Sequence, residues 1–228
     1  AWARAIETGI ISILILSFEK SFLANIVFNF LIFNSYKKVL RLKPELTDAL
    51  YNLGYALQSQ NRFAQAGEYY QKAIEQQPNF LEAIANLGVC LQEQGRLDEA
   101  VAVYQRALTI SKDAKLYFNL ATAVKNQGKL AEAITIYNQA LELKPDYAEV
   151  HSNIGEVLRD QGRYEESVAA YKRAVELDPS LPLANYSLAV YLYDSGDLAQ
   201  ALQYFQRSQY ADWQERSLYC LYKTGCFD

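Results

Sequence analysis

"NLGVCLQEQGRLDEA" (residues 86–100) has four close copies in the same chain. They are "NLGYALQSQNRFAQA" (52–66), "NLATAVKNQGKLAEA" (119–133), "NIGEVLRDQGRYEES" (153–167) and "SLAVYLYDSGDLAQA" (187–201). Aligned on their small residue, Gly54, Gly88, Ala121, Gly155 and Ala189, the copies are 34, 33, 34 and 34 residues apart. Other positions keep step. Ala66, Ala100, Ala133, Ser167 and Ala201 follow the small residue by 12; Tyr70, Tyr104, Tyr137, Tyr171 and Phe205 follow it by 16. Ala73, Ala107, Ala140, Ala174 and Ser208 follow it by 19, and Pro78, Pro145 and Pro179 close three units. A fixed period of this length marks a stack of supersecondary units, each burying its apolar stripe against the next.

The spacing within one unit predicts a helical hairpin. In "ALYNLGYALQSQ" (49–60) Leu50, Leu53 and Leu57 recur at three- and four-residue steps, one face of a helix. Gly95, Gly128, Gly162 and Gly196 then interrupt the pattern, as glycine does just past a helix end. Asp98 and Glu165 place a carboxylate in the first turn of the second helix, where it complements the positive end of the helix dipole. The two small positions allow close backbone approach, the aromatic wedges against the neighbouring unit, and proline ends the second helix.

A small residue at position 8, Ala at 20, an aromatic at 24, Ala at 27 and Pro at 32 of a 34-residue unit resemble the tetratricopeptide repeat. With units beginning at Thr47, Leu81, Ala114, Ala148 and Pro182, the resemblance covers residues 47–215. It implies an all-α, right-handed solenoid of helix–turn–helix repeats. The units run 47–80, 81–113, 114–147, 148–181 and 182–215; the second is one residue short and has Lys112 where proline is expected. Residues 1–46 read as an apolar segment ending in a degenerate repeat, since "YKKVLRLKP" (36–44) matches the end of a second helix. Residues 211–228 read as a partial sixth repeat or a capping helix.

Composition bounds the function. Net charge −4 and a pI near 5.2, without a basic cluster, exclude a nucleic-acid partner by expectation, because phosphate binding needs clustered Lys and Arg. Cys90, Cys220 and Cys226 form neither a disulfide framework nor a zinc set, so free thiols in a reducing, cytoplasmic setting are expected. His151 is the sole histidine and has no partner at metal-ligand or acid–base spacing. No phosphate-loop motif is present. Neither catalytic residues, nor a metal, nor a cofactor is expected. "TGIISILILSF" (8–18) and "SFLANIVFNFLIFNSY" (21–36) are uncharged but individually shorter than the ~18–20 residues of a membrane span. They are read as a diverged repeat or as a membrane-attached or spanning hairpin.

What the stack leaves free is the face of each first helix. Positions 2, 5, 6, 9, 12 and 13 share that face. Position 6 reads Asn52, Asn86, Asn119, Asn153 and Ser187. Asparagine is a mediocre helix former, so propensity alone does not select it four times. Its amide donates and accepts, and can hold an extended backbone irrespective of sequence. The ladder resembles the superhelical tetratricopeptide region of protein O-GlcNAc transferases; alternatively, "NLG" is simply part of the repeat's first-helix phrase. Tyr51 and Tyr55 at one end, Phe118 between, and Tyr186 and Tyr193 at the other are candidate aromatic anchors. Seven acids against three bases on these positions favour a neutral or basic peptide, with Lys115 and Lys125 as a local basic spot. The family's terminal-carboxylate clamp is matched only by Lys115, Asn119 and Asn153; Leu183 and Ser187 stand where its last two cations belong. The sequence therefore reads as a protein-interaction scaffold that holds an extended peptide or a partner helix. Two other readings stay open here. The chain could be the substrate-docking arm of a larger enzyme such as a glycosyltransferase, as a piece of a longer polypeptide, or a membrane-tethered assembly factor anchored through residues 8–36.

Overall fold

A computed structural model describes residues 36, 38, 40–43, 45–209 and 223. The apolar runs 8–18 and 21–35 and the proposed capping segment from residue 211 therefore lie outside the described residues, apart from Lys223. Tyr36, Lys38, Leu40, Arg41 and Leu42 are helical. The remainder forms ten helices with no strand among the described residues. Contacts divide the chain after Arg96 into two units. The first contains α1 (Thr47–Gln58), α2 (Phe63–Gln76) and α3 (Leu81–Glu93). The second contains α4 (Leu97–Ile110), α5 (Ala114–Asn126), α6 (Leu130–Leu143), α7 (Ala148–Asp160), α8 (Tyr164–Leu177), α9 (Pro182–Asp194) and α10 (Leu198–Ser208).

Helices pair as the repeat dictates: α1 with α2, α5 with α6, α7 with α8 and α9 with α10. Between hairpins, α2 packs on α3, α4 on α5, α6 on α7 and α8 on α9. The first helices of successive repeats also touch, α1 with α3 in one unit and α5 with α7 and α7 with α9 in the other. This is the layered arrangement of a helical solenoid, in which each repeat contacts mainly its neighbours.

The core is built from the invariant positions. Tyr70, Tyr104, Tyr137 and Phe205 have no exposed surface, and Tyr171 retains 2%. Around them Ala66, Ala73, Ala133, Ala140 and Ala174 are fully buried. The small residue of the first helix receives the wedge ring. A Cβ at Gly54 would lie 2.8 Å from the Tyr70 ring, and one at Gly155 would lie 2.9 Å from the Tyr171 ring. Where serine replaces alanine, its hydroxyl is paid off locally by a backbone carbonyl. Ser167 donates to Gly155 O at 2.7 Å and Ser208 to Phe205 O at 2.7 Å.

Each hairpin turn has the same hydrogen bonds. The amide that follows the left-handed residue reaches back five positions, as Lys129 N does to Val124 O (3.2 Å) and Arg62 N to Leu57 O (3.0 Å). The preceding residue bonds three back, as Gly128 N does to Lys125 O (2.8 Å). This double closure satisfies carbonyls at the helix end and requires a left-handed residue between them. Gly128 supplies it at φ 79°, and Asn61 supplies it at φ 57° in the first repeat, where no glycine stands. The short junction lacking proline is capped instead: the Asp113 carboxylate accepts from Lys115 N (2.8 Å) and Leu116 N (3.3 Å) at the start of α5.

Candidate peptide-binding face

In the first unit the position-6 asparagines stand on the adjacent helices α1 and α3. Both are half-buried. Asn86 Nδ2 donates to the Tyr51 hydroxyl at 3.2 Å, linking the two helices. Tyr51 is packed rather than projecting, its ring centroid 5.0 Å from Phe80 and 5.7 Å from Tyr70. Burial raises its phenol above the ordinary range, and the Asn86 bond partly opposes this. Tyr55, one turn further along α1, is 60% exposed. Cys90, behind this face, is buried and free, and burial pushes its thiol up to about 12.

In the second unit Asn119, Asn153 and Ser187 occupy α5, α7 and α9. The two asparagines are half-buried, and neither side chain has a hydrogen-bond partner among the described residues. Phe118 lies between Tyr137 (6.1 Å) and Tyr147 (5.4 Å). Tyr186 and Tyr193 meet Phe205 edge-on at 5.9 and 6.4 Å. The position-5 aromatics thus brace the wedge rings of their own repeats, and their outer edges line the face. Ser152, at position 5 of the fourth repeat, is buried.

The charge pattern differs from the expected basic spot in the third repeat. Lys125 Nζ lies 2.6 Å from Glu156 Oε2, an ion pair from α5 to α7 with side chains only 17% and 26% exposed. Its charge is neutralised where it stands. Lys115 is exposed at the start of α5. Arg159 turns to its neighbour Asp160 at 3.2 Å, leaving Asp194 and Glu149 to give the face its acidic balance. His151 Nε2 is 3.1 Å from the Pro145 carbonyl oxygen, a contact across the junction of the third and fourth repeats.

A cavity of about 310 Å³ opens between α7, α8 and α9. Tyr171 and Ser187 lie at its buried end, while Tyr164 and Tyr191 line it from outside the six positions that the helical face selects. Tyr164 opens α8, a second helix, and Tyr191 falls at position 10 of α9, so the face pattern passes over them. Their trace in the sequence is the tyrosine excess, 18 in all, which the wedge positions only partly absorb. Burial raises the Tyr171 phenol, while the nearby Ser187 hydroxyl and Arg159 guanidinium act in the opposite direction.

Two models, each described as a tetratricopeptide repeat, match residues 45–113 and 80–146 in one case and 118–182 and 182–216 in the other. Between them they account for the span 45–216. The chain is a tetratricopeptide repeat protein. Solved structures agree in fold. PilF of Pseudomonas aeruginosa is 22% identical with a TM-score of 0.69, over 78% of this chain and 84% of that one. YrrB, described as a TPR protein with an unusual peptide-binding site, is 21% identical with a TM-score of 0.56, over 83% and 97%. MamA (41-end) from Desulfovibrio magneticus RS-1 is 21% identical with a TM-score of 0.61, over 65% and 84%. No curated protein matches the chain in sequence. A tetratricopeptide repeat array is a protein-interaction scaffold, and that coarse role holds for this chain. Among the described residues no helix is long and apolar enough to cross a membrane.

Proposed function

We propose that the first-helix face of the second unit, on α5, α7 and α9, binds an extended peptide segment of a partner protein. The observation that carries this is the state of Asn119 and Asn153. Each amide is half-buried yet has no side-chain partner among the described residues, so its donor and acceptor are available to a ligand backbone. In the first unit Asn86 is partly engaged by Tyr51, which makes the second unit the stronger half of the reading. The exposed acids favour a neutral or basic peptide, whose capture should weaken with added salt.

The test compares the full chain with its Asn119→Ala, Asn153→Ala variant in affinity capture, after circular dichroism has shown equal helicity. A partner retained by the parent and lost by the variant supports the asparagine clamp. A partner held equally by both moves recognition off this face.

A further inference from the structure

The tyrosine at position 24 has a hydroxyl that must be satisfied once its ring is buried, and the repeats do this in different ways. Tyr70 donates to Gln58 Oε1 at 2.6 Å, using the position-12 side chain of its own repeat. Tyr137 shares a hydrogen bond with the Thr122 hydroxyl at 3.0 Å, using position 9. In the fourth repeat both of those places are filled but engaged elsewhere. Arg159, at position 12, is bonded to Asp160, and Glu156, at position 9, is bonded to Lys125. The Tyr171 and Ser187 hydroxyls are buried, on side chains 2% and 9% exposed, and stand near enough for the serine to lower the tyrosine's phenol, yet neither has a partner in hydrogen-bonding geometry among the described residues. Both line the 310 Å³ cavity. Buried polar atoms are normally satisfied, and two orphans facing one cavity mark a place for a polar group supplied from outside.

We infer that this cavity receives a phenol-bearing side chain, a tyrosine of the bound peptide, with its hydroxyl directed at Tyr171 and Ser187. The inference rests on the peptide-binding reading and names one residue of the ligand. Size permits it: about 150 Å³ is enough to hold a benzene ring, so this cavity has room for a phenol and the methylene that carries it. The walls suit an aromatic ring, with Val168 and Val190 offering branched aliphatic surface and Tyr164 and Tyr186 offering ring edges and faces. The buried end selects a neutral head group. Asp194 stands exposed at the rim, Arg159 is already paired with Asp160 and Glu156 with Lys125, so an ammonium or carboxylate carried to the bottom would lose its hydration and meet only charges that already have a partner. Hydroxyls donate and accept, and a phenol answers both.

The probe is 4-methylphenol, the side chain of tyrosine, with toluene as the matched compound lacking the hydroxyl. Each is titrated into the full chain while the valine methyl resonances of Val168 and Val190 are followed by NMR. The expected result is a saturable shift with 4-methylphenol binding about tenfold or more tighter than toluene, since toluene leaves the buried hydroxyls unanswered. In Tyr171→Phe, Ser187→Ala the preference should vanish. That variant is expected to fold, because the fifth repeat already carries Phe205 at the same position. Equal affinity for the two probes overturns the inference. So does the absence of a saturable shift in a folded chain, which would leave the two hydroxyls to solvent. Neither probe depends on the asparagines, so a phenol site that fails while the clamp variant loses its partner refutes only the cavity's role. A phenol site that holds while the clamp variant keeps its partner refutes only the asparagine clamp.

Discussion

Gly128 sits at φ 79°, between two backbone hydrogen bonds that end α5 and hand the chain to α6. A Cβ there would meet no neighbouring atom, so space is not what the position demands. The demand is conformational: a left-handed backbone costs an ordinary residue about 1–2 kcal/mol, and glycine nothing. Gly128→Ala should therefore destabilise the chain by about 1–2 kcal/mol with helix content unchanged at low denaturant, read as a lower urea midpoint at constant slope. An unchanged midpoint would mean the turn is not held left-handed in solution. The converse site is Asn61, at φ 57° in the first repeat, which shows the same conformation met by a residue type that tolerates it better than most. These positions were legible in the sequence because backbone strain is local: a glycine fifteen residues into a 34-residue unit announces its own turn. The orphaned hydroxyl of Tyr171 was not legible. Its isolation depends on where Arg159 and Glu156 send their own side chains, and each had an alternative within reach.

At the scale of helices, three- and four-residue spacing marks the buried stripe of α1 through Leu50, Leu53 and Leu57, whereas α9 is apolar nearly all round and shows no such stripe. What spacing within one helix does not give is a contact between first helices of neighbouring repeats. Lys125 and Glu156 are 31 residues apart, one repeat less three, which sets position 12 of α5 beside position 9 of α7. Read singly, Lys125 looked like part of a basic spot; read with its neighbour, it is half of a partly buried pair. Exposed pairs contribute little, but removing one partner of a shielded pair strands the other charge in a poor solvent. Glu156→Gln is expected to cost about 1–2 kcal/mol, more than an exposed pair such as Arg163–Glu166 would, and Lys125→Met with Glu156→Gln should cost less than the sum of the singles. A double-mutant cycle in urea checks this; additive singles would show that the pair does not couple α5 to α7. The same Glu156→Gln change frees Lys125 on the binding face, so a basic peptide should bind it more weakly even at matched stability.

Across the whole molecule the wedge tyrosines recur in both units, and so does the physical consequence of burying them. Burial raises the Tyr137 phenol from 10.0 to about 12, tempered by its bond to Thr122, and raises the Tyr70 phenol further still. The buried Cys90 thiol is pushed from 9.0 to about 12. A weak acid held protonated by the fold stabilises it fully below the pKa it has when unfolded. That contribution is lost progressively as pH rises towards the folded value. For these groups the window opens near pH 9 for Cys90 and pH 10 for the tyrosines, and closes near pH 12. A shift of this size at Tyr137 alone amounts to about 2–3 kcal/mol, a large share of the stability of an ordinary domain. Because a solenoid gains stability repeat by repeat, from each unit and its neighbours, losing a wedge in each unit weakens the array in several places rather than at one. Helical signal should therefore hold steady to about pH 10 and collapse before pH 12. The phenolate absorbance of the buried tyrosines should rise with that collapse rather than ahead of it. Tyr137→Phe, which places in the third repeat the ring that Phe205 already provides in the fifth, should move the alkaline midpoint upward. An array that kept its full helicity with every tyrosine ionised would show that the wedge hydroxyls reach water in the folded chain, and the burial argument at Tyr171 would fall with it.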